Sequence, residues 1–144
     1  QSWQEGPRQF IFDAAHNPAS MRTLVDILRD NHSGKAPAIL LGMSQEKNWR
    51  EMCRLIAPLA NRVMAVPTSS QKTVSPDSIA KVCSKFCETM TAESVEQGLD
   101  RLTDEPFVVV AGSIYLAGEV MERLNVSPQP ESDERDLNEW VMAT

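Results

Sequence analysis

Histidine is scarce in this chain and cysteine nearly so: there are two His and three Cys among 144 residues. Cys83 and Cys87 stand one helical turn apart, but a metal there would need further ligands at matching spacing, and the histidines are too few to supply them. The odd cysteine count fits a reducing compartment, the cytoplasm, rather than a disulfide framework. Cys53, Cys83 and Cys87 then read as small core hydrophobes. Long apolar runs are missing too. No segment approaches the ~20 residues that cross a bilayer, so no membrane partner is expected. The opening QSWQEGPRQ lacks the basic and then apolar pattern of a signal segment. It also lacks Met, as a processed or excised piece would. Positive charge is in deficit, with a formal charge of −6 and a pI of about 4.9. That balance argues against a nucleic-acid backbone as the main partner. Nowhere does a Gly-rich loop end in Lys-Ser/Thr, so the usual phosphate cradle is absent.

What is present suits one globular domain. Hydrophobic residues make up 42% and charged residues 24%, both ordinary values. A chain of this length buries roughly 70% of its unfolded surface, enough for one core. The patterning alternates strand and helix five times. Strands are expected at 9–13, 37–43, 62–67 and 106–113, with a short, weak one at ETMTA (88–92). Helices are expected from Pro18 to a stop near Gly34, over 46–60, over 76–87, from Ala92–Ser94 to Asp104, and over 114–126. Pro18 and Pro76 suit first helical positions, with Asn17 and Ser75 as caps. The strands are continuous apolar runs, the pattern of strands covered on both faces. The expected fold is therefore α/β: a doubly wound, mostly parallel, Rossmann-like sheet in three layers. Residues 1–126 form the domain, and the acidic 127–144 reads as a tail in which Leu137, Trp140 and Val141 could dock.

Ligands of such sheets sit at the carboxyl ends of the strands. Three loops carry unusual residues there and should share one edge: Asp13 to Pro18, Gly42 to Lys47, and Gly112 with Ser113. Asp13 either accepts backbone N–H groups where the helix begins or binds a nucleotide ribose, as acidic residues do in dinucleotide folds. His16, just before a helix N-terminus, should be neutral, and either closes the turn or meets a ligand. His32 reads as an exposed helix-end residue. Lys47 is a surface lysine or an anion ligand. Gly112 permits close backbone approach, and Ser113 either caps the next helix or binds an anion at its N-terminus.

Three stretches, in this order, carry a resemblance: FIFDAAHNPASM, LLGMSQEKNWREM and VVVAGSIYLAGEV. Together they resemble the C-terminal domain of folylpolyglutamate synthase/dihydrofolate synthase, in the Mur ligase superfamily, over about residues 8 to 126. The resemblance implies part of an ATP-dependent amide ligase. In that family ATP phosphorylates a carboxylate of a folate or dihydropteroate substrate, and L-glutamate attacks the acyl phosphate. It further implies ATP and Mg2+, with most metal ligands and the phosphate loop in a preceding central ATPase domain outside this sequence. Asp13 would bind the ATP ribose or position the linker, and His16 would sit near the phosphates or the glutamate, as the catalytic residue. Lys47 and Ser113 would bind the glutamate carboxylates. The chain departs from the family pattern at Ala14 (usually Gly) and Asn48 (often Asp). The loop 67–78 lacks the Arg often found there, and Lys72 is the candidate substitute. Alone, this chain is expected to be inactive, because catalysis needs a closed site between two domains.

Two other readings compete. The same scaffold could be a non-enzymatic module for a small ligand or protein. A free-standing hydrolase built on Asp13 and His16 is the weaker one, since no nucleophile with a base partner accompanies them.

Overall fold

Six strands hydrogen-bond into one sheet in a computed structural model that describes residues 2–31 and 35–126. His32, Gly34 and the tail 127–144 lie outside the described residues. The strands are β1 (Ser2–Glu5), β2 (Arg8–Phe12), β3 (Ala38–Leu41), β4 (Arg62–Ala65), β5 (Glu88–Thr91) and β6 (Phe107–Ala111). The helices are α1 (Pro18–Asn31), α2 (Trp49–Ile56), α3 (Pro76–Cys83), α4 (Val95–Asp100) and α5 (Ile114–Arg123). The sheet order is β1-β2-β6-β3-β4-β5. Every neighbouring pair is parallel except β1 with β2.

Period-two alternation sorts the strand residues onto two cores. Ile11, Ile39, Leu41, Val63, Ala65, Val109 and Ala111 face α1, α2 and α3. Phe10, Phe12, Leu40, Met64, Val108 and Val110 face the other way, toward α4 and α5. Both faces of the central strands are covered, so β3 and β6 are wholly apolar and the buried residues of β2 and β4 are too, and the α/β three-layer expectation holds. Gly98 sets how closely α4 approaches the sheet. A Cβ there would lie 2.6 Å from Val66 Cγ1 and 3.1 Å from Leu40 Cδ1.

The elements differ from the sequence reading in two ways. The antiparallel strand β1 was not expected. Its residues, Ser-Trp-Gln-Glu, are polar and mostly exposed, so no apolar run announces it. What specifies it is the turn. Glu5 pairs with Arg8, so Gly6-Pro7 is a two-residue hairpin loop, and Gly6 has the positive φ of +59° that such turns require at their first position. Trp3 then packs on Phe10, with ring centroids 5.9 Å apart. Several helices are also shorter than expected. The second helix begins at Trp49 rather than residue 46 and passes into a 3-10 turn over Ala57–Leu59, because Pro58 has no N–H to continue the ladder. Lys47 is therefore a loop residue. The third helix ends at Cys83, and turns carry the chain on to β5.

At the opposite, amino-terminal edge of the sheet, charges are used for construction. Arg62 Nε lies 2.7 Å from Glu105 Oε2. Arg8 donates to the carbonyls of Glu105 (3.1 Å) and Leu102 (2.9 Å). These bonds pin the turn before β6 to β2 and β4.

Candidate functional site

The order of the strands makes the crevice. The chain runs from β2 through α1 to β3, stepping over β6, and later returns through α4 to fill the gap. After β2 and after β3 it turns toward the face of α1 and α2. After β6 it turns to the opposite face, into α5. The loops on either side of β6 therefore diverge, which is where open α/β sheets take ligands. Those are the three loops singled out in the sequence, and the parallel pairing of β2, β6 and β3 puts them on one edge.

Asp13 closes β2 on this edge. Its backbone N–H donates to Val110 O at 2.9 Å, extending the β2–β6 ladder by one residue. Its side chain is 1% exposed. Oδ1 accepts the Ala15 N–H at 2.6 Å, while Oδ2 is buried without a hydrogen-bond partner. Burial raises its pKa from 3.8 to about 7, against the opposing pull of the Ala15 hydrogen bond. A buried acceptor left without a partner costs about 1–3 kcal/mol, so the fold holds Asp13 at an expense that its own structure does not recover.

The next residues shape the turn. Asn17 Oδ1 accepts from Ser20 N at 2.8 Å, the N-cap bond expected of it. Ser20 Oγ accepts in return from the N–H groups of His16 (3.0 Å) and Asn17 (3.2 Å), a reciprocal arrangement like a capping box. Asn17 is thus a cap and Asp13 is not. His16 is exposed, and its Nδ1 lies 3.0 Å from Ala14 O. A carbonyl can only accept, so Nδ1 carries the proton of that bond, and in the neutral ring Nε2 presents its lone pair outward.

Gly112 and Gly42 let the neighbouring loops touch. Gly112 has φ +105°, and a Cβ on it would fall 2.2 Å from Gly42 O. Ser113 follows, 6% exposed. Its Oγ accepts from Tyr115 N (3.1 Å) and Leu116 N (3.4 Å), so it caps α5. Its hydroxyl proton is left to donate.

Lys47 lies on an exposed bend, and its side chain makes no hydrogen bond or ion pair among the described residues. The loop that carries it is braced by one the sequence reading passed over as merely polar, residues 67–75. Ser44 bridges to Thr73. Gln45 N donates to Lys72 O at 2.7 Å and Val74 N to Met43 O at 2.9 Å. The Lys72 ammonium pairs with Glu46, which lowers the Glu46 pKa, chiefly through the hydrogen bond from Lys72. Asn48 Nδ2 donates to Glu51 Oε2 (2.9 Å), and Arg22 reaches the other oxygen of Glu51 at 2.6 Å. Sequence reasoning also missed an open groove of about 610 Å³ beside Ser113, lined by Ser69, Ile114, Tyr115, Gly118, Glu119 and Glu122. Ile114 and Tyr115 are 47% and 58% exposed there.

No group of three or more His, Cys, Asp or Glu among the described residues could hold a metal ion, and none of their helices is long and apolar enough to cross a membrane. Cys53 and Cys83 are buried and Cys87 half-buried, all three free.

With this geometry in hand, comparison with known proteins is specific about the family. The model of the family described as "Mur ligase, glutamate ligase domain" matches residues 2–114. No curated protein matches the chain. Among solved structures, folylpolyglutamate synthase of Mycobacterium tuberculosis complexed with ADP superposes with a TM-score of 0.79 at 20% identity, covering 90% of this chain and 32% of that one. Folylpolyglutamate synthase of Thermotoga maritima gives 0.76 at 23% identity, covering 99% and 32%. The bifunctional folylpolyglutamate synthase/dihydrofolate synthase of Yersinia pestis, complexed with AMPPNP and an Mn ion, gives 0.74 at 21% identity, covering 88% and 30%. The chain thus spans about a third of the length of these structures.

Proposed function

This chain belongs to the Mur ligase family, as its glutamate ligase domain, and from that premise we propose that it is the closing lobe of an ATP-dependent ligase that joins L-glutamate to folate or dihydropteroate. The likeness of fold to folate ligases solved with ADP supports the choice of substrates. The observation that carries the reading is the unmatched Oδ2 of Asp13, buried at a strand-order switch. A ribose hydroxyl donating to that oxygen would supply the hydrogen bond that the chain itself does not.

The other residues take roles that their geometry allows. On this reading His16, with Nδ1 held by Ala14 O, accepts a proton through Nε2 from the incoming ammonium, freeing the amine to attack. Lys47 offers an uncommitted ammonium to a glutamate carboxylate, and the Ser113 hydroxyl can donate to the same group from the start of α5. ATP supplies the activation, making the carboxylate an acyl phosphate. The described residues form no Mg2+ site of their own, so no step here is assigned to the metal. The phosphate loop and metal ligands belong to a central ATPase domain outside this chain.

The test is ligation. Full-length protein carrying this chain should consume ATP and extend a folate or dihydropteroate by glutamate, and the chain alone should not. His16→Ala should lower kcat by about 10²-fold or more, the usual scale of a lost general base. Full-length protein that binds ATP but ligates no amino acid to any folate would end this reading, in favour of a ligand-binding module.

A further inference from the structure

Asp13 holds a second property, in the way its site is built. The carboxyl is sealed at the sheet edge, with one oxygen bonded to the Ala15 N–H and the other bonded to nothing. An ionised carboxylate with a bare, buried oxygen is the costlier of its two forms, and a neutral acid is the cheaper. We infer that the free site keeps Asp13 as the neutral acid and that nucleotide binding ionises it, so that binding is coupled to release of a proton. This rests on the proposed placement of a ribose on Asp13.

The surroundings leave few other sources for such a proton. On its own loop, His16 faces outward, with Nδ1 tied to Ala14 O. The β6–α5 side brings Gly112 and Ser113, which carry no charge. Between α1 and α2, Arg22 and Glu51 neutralise each other. Desolvation by burial outweighs the Ala15 hydrogen bond, and the resulting pKa of about 7 places the change at physiological pH. A ribose hydroxyl donating to Oδ2 would then stabilise the carboxylate, because hydrogen bonds to the charged form lower its pKa. The proton leaves to buffer, no other bond changes, and the charge of the site falls by one.

The experiment is calorimetric titration of the full-length protein with ADP at pH 6.5, in two buffers that differ in ionisation enthalpy. ADP binds with protons of its own, so the readout is the difference between wild type and Asp13→Asn. Wild type should release more protons than Asp13→Asn, by roughly half a proton or more per ADP bound, as a group titrating near 7 would. Difference infrared spectroscopy of the wild type guards against a substituted protein that fails to bind or fold, because ADP should then abolish a protonated-carboxyl band. Equal proton release in both proteins, or a carboxyl band unchanged by ADP, would overturn the coupling while leaving the ligase reading intact. If ADP binds neither protein, the reading of the site as a nucleotide site fails instead.

Discussion

A single carboxyl group sets much of this domain's physical character. Asp13 has a folded-state pKa raised from 3.8 to about 7 by burial, so between those values the folded chain holds a proton that the unfolded chain has lost. The unfolded state then binds fewer protons, and stability falls as pH rises through that window and levels off above it. The slope for one group is at most about 1.4 kcal/mol per pH unit. Asp13→Asn removes the titration but keeps the shape. In urea unfolding of wild type and Asp13→Asn from pH 5 to pH 7, the wild type should lose about 2 kcal/mol relative to the substituted protein. Parallel curves would mean that Asp13 is already ionised in the fold. Asp13 is not needed to cap α1, since Asn17 already does so.

At the scale of elements, the loops divide into those that build the turn and those that present chemistry, and single residues do one job each more often than two. Asn17 belongs to the first kind. Asn17→Ala removes the acceptor of Ser20 N and should cost about 1 kcal/mol, read as a lower urea midpoint with an unchanged slope. An unchanged midpoint would show that Ser20 holds the turn alone. The parallel core was legible in the sequence because strands covered on both faces must be apolar, and β3 and β6 are so throughout, β4 all but Arg62 at its start. The strand β1 was not, because an edge strand is stabilised by its partner and its turn rather than by a pattern of its own, and only Gly6-Pro7 betrays it. Helix lengths were overestimated wherever apolar spacing continued into turns, as after Ile56 and Cys83. At the site, Asp13, His16, Lys47 and Ser113 could be placed on one edge from the order of elements. The capping role of Ser113 was legible, being a contact with the N–H groups two and three residues on, whereas the burial of Asp13 and the brace from residues 67–75 depend on contacts distant in sequence, which no local pattern records. The groove at Ile114 and Tyr115 was hidden because an apolar residue looks the same in sequence whether its face is covered or bare.

Over the whole molecule, the charge is wrong for the ligands proposed. The chain carries a net −6, while a nucleotide and a dicarboxylate amino acid are both anions, so the mean field repels them and local cations must overcome it. Of the two lysines on the braced loops, Lys72 is neutralised by Glu46, and Lys47 stands unpaired and exposed. On the proposed reading Lys47 receives the glutamate carboxylate, and being exposed it contributes little to the core. Lys47→Ala in the full-length ligase should therefore raise the KM for L-glutamate about tenfold, equivalent to about 1.4 kcal/mol of binding, while the unfolding midpoint stays where it was. The wild-type KM should also rise with ionic strength, and that dependence should weaken in Lys47→Ala, because an exposed charge acts through screened solvent. If the KM is indifferent to the substitution, glutamate is held by other groups and Lys47 is a solvated surface residue. A KM that rises only together with a falling midpoint would assign the effect to the fold of the loop and not to its charge.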